Sequence, residues 1–158
     1  MLVTHTQAPE FTAPNQHGDL IALADYRNAR NVLLYFYPKD DTPGCTIEAN
    51  QFTALAGEFA KLNTVVIGVS RDSCDSHQAF IAKYGLQINL LSDTDGELCR
   101  RYGVWQEKEK NGIKSMGIVR STFLIDRNGE LADAIYGVTV DGHAAAMLER
   151  VRRMNAGE

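Results

Sequence analysis

Three cysteines, Cys45, Cys74 and Cys99, are the side chains of this sequence best suited to covalent chemistry. Cys45 has the most suggestive neighbours. The stretch Tyr37-Pro38-Lys39-Asp40-Asp41-Thr42-Pro43-Gly44-Cys45-Thr46 leads from an apolar run into a helical pattern, which sets Cys45 at or near a helix N-terminus. Unpaired N–H groups and the positive end of the helix dipole gather at such a point. Both favour a thiolate over a thiol, and the thiolate is the nucleophile. Thr42, three residues earlier, could donate its hydroxyl to the thiolate or to an oxygen of a substrate. Pro38 and Pro43 stiffen the loop and remove competing N–H groups, and Pro43-Gly44 allows a tight turn with the backbone close to a ligand. The competing reading is an inert cysteine buried at a strand-to-helix corner, the ordinary condition of a free cysteine. The spacing Pro38-x-x-x-Thr42-x-x-Cys45 argues against it.

Other chemistries find little support. There is no Gly-rich phosphate loop, no Ser-His-Asp set and no Cys-x-x-Cys, since Glu48 stands where a second cysteine would. His5, His17, His77 and His143 are widely spaced and form no metal-ligand pattern, so neither a metal nor another cofactor is implied. His77 reads as a solvated histidine on a helix near Cys74. Tyr35, Phe36, Tyr37 and Trp105 could line a pocket near Cys45, although aromatic residues in such runs are more often core.

The elements that must position Cys45 follow from periodicity. Ala8 to Pro14 is extended, Asn15 to Asp19 has turn chemistry, and Leu20 to Leu23 returns as a short strand, making an N-terminal hairpin. Asn31 to Tyr37 is a continuous apolar run that suits a strand buried on both faces, and Leu62 to Ser70 is another. A helical pattern from about Thr46 to Ala60 lies between them, which implies a parallel pair joined by a right-handed crossover. Asp72 or Ser73 caps a helix that runs to Tyr84 and stops at Gly85. A short strand at Ile88–Ser92, a short helix at Asp95–Tyr102, and a charged exposed loop at Glu107–Gly112 follow. Ser121–Asp126 and Leu131–Val138 form a hairpin around Asn128-Gly129, and a helix at about Gly142–Met154 closes the chain. The layout is α/β, a thioredoxin-like central mixed sheet flanked by helices with the N-terminal hairpin added.

Size and charge bound the rest. At 158 residues, 44% hydrophobic and 23% charged, the chain fits one globular domain, placed at residues 3–155. With a net charge of −4 and no basic patch, nucleic-acid binding is not expected. Arg150, Arg152 and Arg153 read as the solvated end of the last helix, where cations suit the dipole. No apolar stretch is long enough to cross a membrane, and the first residues lack the pattern of a secretory signal. Three scattered cysteines make no disulfide scaffold, so a cytoplasmic, reducing setting is expected.

Pro38-x-x-x-Thr42-x-x-Cys45 resembles the active-site signature of the peroxiredoxins, and the longer Phe36 to Thr46 resembles the bacterioferritin comigratory protein, or Q-type, subgroup. Ala8-Pro9-Glu10-Phe11, Gly68 to Ser73, Leu91-Ser92-Asp93, Tyr102-Gly103-Val104 and Arg120 to Asp126 agree in the same order over nearly the whole chain. The resemblance implies a thiol-dependent peroxidase that reduces hydrogen peroxide and organic hydroperoxides. Cys45 would attack the peroxide, Thr42 could then donate to a peroxide oxygen, and Cys45 would end as a sulfenic acid. By residue chemistry alone, Arg120 before a core strand is a rim charge or a salt bridge. The resemblance makes it the arginine that favours the thiolate and polarises the O–O bond. Glu48 either orients Arg120, as the similar subgroup position does, or is a surface helix residue.

A second thiol must resolve the sulfenic acid. The two positions where the subgroup usually carries it are Asn50 and Ile81 here. Cys74, at the start of the helix after Ser70, is one candidate resolver. Cys99 reads as a helix residue packed under a loop. The alternative is a one-cysteine cycle in which glutathione, a glutaredoxin or a thioredoxin attacks the sulfenic acid directly. The subgroup resemblance also implies a monomer. Two other functions share this fold class: a disulfide reductase, which would want Cys-x-x-Cys, and a non-enzymatic redox sensor or exchange module.

Overall fold

The computed structural model describes residues 1–157. Its centre is a five-stranded sheet in the order β5-β4-β3-β8-β9. β3 (Asn31–Phe36) pairs in parallel with β4 (Thr64–Ser70), which pairs in parallel with β5 (Asn89–Ser92). On its other side β3 runs antiparallel to β8 (Ser121–Ile125), and β8 to β9 (Leu131–Tyr136). The expected mixed sheet and the hairpin of β1 (Thr12–Pro14) with β2 (Leu20–Ala22) are both present.

The alternation of β3 divides the core. Leu33, Tyr35 and Tyr37 face α1 (Pro43–Lys61), α2 (Cys74–Tyr84) and α4 (His143–Asn155), where Ala49, Phe52, Phe80, Met147 and Val151 pack. Val32, Leu34 and Phe36 face the N-terminal hairpin, α3 (Glu97–Arg101) and Tyr102. A strand covered on both faces must be apolar throughout, which is why β3 shows no polar alternation. Gly68 lies opposite Tyr35 in the β3–β4 register. A Cβ there would sit 2.9 Å from the Tyr35 ring, so the glycine leaves room for an aromatic that stacks on Phe52 of α1 at 4.7 Å. That stack helps to fix α1 over the sheet.

Three expectations change. α1 begins at Pro43 rather than Thr46, because proline is tolerated at the first helical position and Thr42 takes the extended cap conformation. The expected loop at Glu107–Gly112 is instead part of a two-stranded hairpin, β6 (Trp105–Lys110) with β7 (Ile113–Ile118). Asn111 and Gly112 both take positive φ, 54° and 78°, as a tight two-residue hairpin turn requires. Most residues of these strands are exposed, so no apolar alternation marked them. The predicted helix over Asp95–Tyr102 shortens to Glu97–Arg101.

Candidate active site

β3 ends at Phe36, and a short loop carries the chain to α1 at the edge of the sheet. Cys45 is the third residue of α1 and is 2% exposed. Thr42 makes no side-chain capping bond, so among the described residues no hydroxyl occupies the first-turn N–H groups of Gly44 and Cys45. Thr42 Oγ1 donates to the Lys39 carbonyl at 2.9 Å. The hydroxyl expected to donate to the sulfur or to a peroxide oxygen is here engaged by the loop, and the oxygen's lone pairs are left to accept. Pro38 is exposed on the loop's first turn.

Arg120 comes to the sulfur by strand pairing. Phe36 lies opposite Ser121, so the residue before β8 stands beside the loop that leaves β3. Its Nη2 lies 3.3 Å from Cys45 Sγ, and its Nη1 donates to Glu48 Oε1 at 2.7 Å. Glu48 is one turn below Cys45 and 1% exposed, so the surface-residue alternative does not hold. Gly44 has a role that its type alone did not reveal. A Cβ on it would come within 3.2 Å of Arg120 Nη2, so the missing side chain lets the guanidinium reach over the first turn of α1.

The electrostatics follow from one cation shared between a carboxyl and a thiol. Burial pushes the Glu48 carboxyl up to about 7, against the downward pull of Arg120. Burial weakens the Arg120 charge, but Glu48 and Cys45 together more than offset it and hold the guanidinium protonated. Glu48 Oε2 has no partner among the described residues. Tyr35, beneath the site, has its hydroxyl pushed far up by burial and then by Glu48, so it stays a neutral wall.

A buried polar cluster anchors the loop on its other side, and sequence reasoning missed it. His77, expected to be solvated, is 0% exposed. Its Nδ1 lies 2.7 Å from Asp40 Oδ2 and its Nε2 lies 2.9 Å from the Leu91 carbonyl, which can only accept, so both ring nitrogens are engaged. Tyr37 and Ser76 hydroxyls also donate to Asp40, and the Asp40 N–H donates to Asp72 at 2.8 Å. Asp41 next to it takes a positive φ of 58° and pairs with Lys83 of α2 at 2.7 Å. The Asp-Asp pair of the motif thus ties the Cys45 loop to α2. The signal available in the sequence was the Asp40–His77 combination, but a sequence separation of 37 hides it.

The other two thiols are free, with no disulfide to Cys45. Cys74 opens α2, half-buried, behind a Ser73 cap whose side chain accepts from the Ser76 N–H. Cys99 is fully buried, and burial together with Asp93 pushes its thiol far up. Asn50 is exposed and Ile81 is half-buried. Tyr35, Phe36 and Tyr37 are core, while Trp105 lies under the Arg71 guanidinium at 4.6 Å.

Residues 4–134 match the AhpC/TSA family, and with this fold and cysteine motif the chain belongs to that family of peroxiredoxins. Within it, the chain resembles the bacterioferritin comigratory protein, or Q-type, members. It is 42% identical to peroxiredoxin Bcp of Bacillus subtilis over 149 residues, 94% of each chain. It is 38% identical to peroxiredoxin Bcp of Escherichia coli over 141 residues, 89% of this chain and 90% of that protein. The Xanthomonas campestris bacterioferritin comigratory protein, solved for insight into its alkyl peroxide reduction activity, superposes with a TM-score of 0.87. It shares 40% identity, with 92% of each chain covered. The chain is a thiol-dependent peroxidase, with a peroxide as substrate and a thiol as reductant. Among the described residues, no helix is long and apolar enough to cross a membrane.

Proposed function

We propose that Cys45 is the peroxidatic thiol, and that Arg120 holds it as a thiolate and stabilises the oxygen that leaves. The observation that carries this is the 3.3 Å approach of Arg120 Nη2 to Cys45 Sγ in the uncapped first turn of α1. The thiolate attacks one peroxide oxygen, the O–O bond breaks, and the departing oxygen takes a proton. A sulfenic acid remains, with water released from hydrogen peroxide or an alcohol from an organic hydroperoxide. A fixed guanidinium is suited to both tasks, since it favours the anion at sulfur and donates to developing negative charge. Thr42 Oγ1, its hydrogen engaged by Lys39, accepts the O–H of the bound peroxide and orients it. Pro38 and Gly44 shape the opening, and Glu48 aims Arg120.

The sulfenic acid is then reduced by an external thiol, with thioredoxin, a glutaredoxin and glutathione as the candidate classes. What supports this is that Asn50 and Ile81 carry no sulfur. A second reading has Cys74 resolve Cys45. It rests on α1 and α2 starting at the same edge of the sheet, with their preceding loops joined by the Asp40–Asp72 bond. We assign the activity to one unit, residues 3–155, acting as a monomer in the cytoplasm, where three free cysteines stay reduced.

Hydrogen peroxide consumption with dithiothreitol as sole reductant tests the first step. Turnover that survives Cys45→Ser removes Cys45 from the mechanism. Intact mass after one equivalent of peroxide tests the second. A gain of one oxygen marks a sulfenic acid awaiting an outside thiol, and a loss of two hydrogens marks an internal disulfide.

A further inference from the structure

Beside the active-site loop lies an open groove of about 520 Å³ whose charge runs against that of the chain. The protein carries a net charge of −4, yet this groove is lined by Arg71, Lys108 and Lys110 and by no carboxylate. Among the described residues, none of the three is in an ion pair. Glu107 of the same hairpin does not line the groove and lies 3.9 Å from Lys114, and Asp72, next to Arg71, is engaged by Ser70 and by the Asp40 N–H. Arg71 is held over Trp105 at 4.6 Å and donates to the Thr94 carbonyl, and Lys108 donates to the Ile118 carbonyl. Two of the three cations are therefore fixed in place, and Lys110 stands exposed at the tip of the hairpin.

Two short stretches of chain tie the groove to the active-site loop and to Arg120. Pro38, at its edge, opens the loop that ends in Cys45, and Ile118, in its wall, is two residues before Arg120. Two residues span at most about 7 Å, which sets the groove wall beside the backbone of Arg120, whose guanidinium in turn meets Cys45 Sγ. Unneutralised cations around an aromatic floor select an anionic ligand, and the volume is that of a small-molecule site rather than a protein footprint.

We propose that this groove binds the reductant, and that the reductant is a small thiol bearing carboxylates, a short acidic peptide thiol of the glutathione kind. The inference rests on the external-thiol reading above. The first thiolate attacks the Cys45 sulfenic sulfur, forms a mixed disulfide and releases water. A second thiol attacks the small-molecule sulfur, returns Cys45 as thiolate and leaves as the symmetric disulfide. Two thiols are oxidised for each peroxide reduced. Arg71, Lys108 and Lys110 hold the carboxylates in both steps and do no chemistry.

Glutathione-driven turnover is the test, with Lys110→Glu as the variant because that side chain is exposed and bears no structural bond. The KM for glutathione is expected to rise about tenfold, the equivalent of one lost charge contact of about 1.4 kcal/mol. It should rise further with salt. Turnover with uncharged dithiothreitol, and the rate of peroxide attack on the reduced protein, should not change. In the wild type, glutathione diethyl ester should need a higher concentration than glutathione. A KM indifferent to Lys110→Glu and to esterification overturns the proposal, as does failure of glutathione to support turnover where dithiothreitol succeeds. The underlying external-thiol reading fails separately, if the peroxide-treated protein loses two hydrogens and Cys74→Ser abolishes turnover with every reductant.

Discussion

Cys45 and Cys99 are almost equally buried, 2% and 0% exposed, and each lies near the start of a helix. They differ in the sign of what faces them. Cys45 has a guanidinium at 3.3 Å. Cys99 faces the Asp93 carboxylate, which also accepts its backbone N–H at 2.8 Å, and burial and Asp93 together drive its thiol far from ionisation. Burial alone therefore decides nothing about a thiol. Desolvation and a facing carboxylate both oppose a thiolate at Cys99, whereas the proposal for Cys45 rests on the cation that faces it.

The harshest way to break this comparison is to remove each sulfur in turn. Cys45→Ser is expected to reduce peroxide consumption to the uncatalysed background in a stopped-flow assay. Arg120→Ala is the next largest. It leaves the sulfur in place and takes away the charge that separates it from Cys99, so the rate of peroxide reduction should fall about 10²–10³-fold, the usual cost of a lost oxyanion donor. The thiolate absorbance of the variant at pH 7 should fall with it. Arg120→Lys keeps a charge but cannot reach sulfur and Glu48 together, and should fall between. Unchanged thiolate absorbance in Arg120→Ala would falsify the claim that the guanidinium sets the ionisation.

The two cysteines also mark how far the sequence could be read. Pro38, Thr42 and Cys45 were legible because their arrangement is local: one loop between a recognisable strand and a helix. The sheet was legible for a similar reason, since strands buried on both faces are apolar without interruption. Arg120 lies 75 residues from Cys45 and reaches it only through β3–β8 pairing, so residue chemistry alone made it a rim charge and the family resemblance had to supply its role. His77 was misread because a polar residue in an amphipathic helix is ordinarily solvated. Only the fold brings Asp40 and the Leu91 carbonyl to its two nitrogens. The β6–β7 hairpin escaped because its strands pack against little, which leaves no periodicity to read beyond Asn111-Gly112.

Glu48 sharpens the comparison through pH. It shares the single charge on Arg120 with Cys45, and burial holds its proton up to about pH 7, against 4.5 for a free carboxyl. Between those values the folded protein binds a proton that the unfolded chain has lost. Stability from this group is fully present below about pH 4.5, falls as pH rises to about 7, and is flat beyond. At about 1.4 kcal/mol per unit, the loss is up to about 3 kcal/mol. Glu48→Gln, which keeps the shape and one acceptor for Arg120, should flatten this window. Urea unfolding at pH 5 and pH 8 measures it, and a variant that retained the full wild-type slope would place the titration elsewhere.

The smallest effect belongs to the other sulfur. Cys99 contributes packing between α3 and the sheet face that holds Phe36 and Tyr102. Cys99→Ala leaves a small void there, with a stability cost of about 1–2 kcal/mol. It packs in the core cluster on the other face of the sheet from Cys45, so the rate of peroxide reduction and the KM for reductant should both stay at wild-type values. A carboxylate-faced thiol in an apolar wall has no ionised form to offer at neutral pH, and no route to a sulfenic acid on the opposite face of the sheet. If Cys99→Ala instead slowed recovery of oxidised Cys45 while leaving the peroxide step untouched, the sulfur would be acting in the cycle despite its burial. The sign of the neighbouring charge would then be an insufficient guide to which thiol reacts.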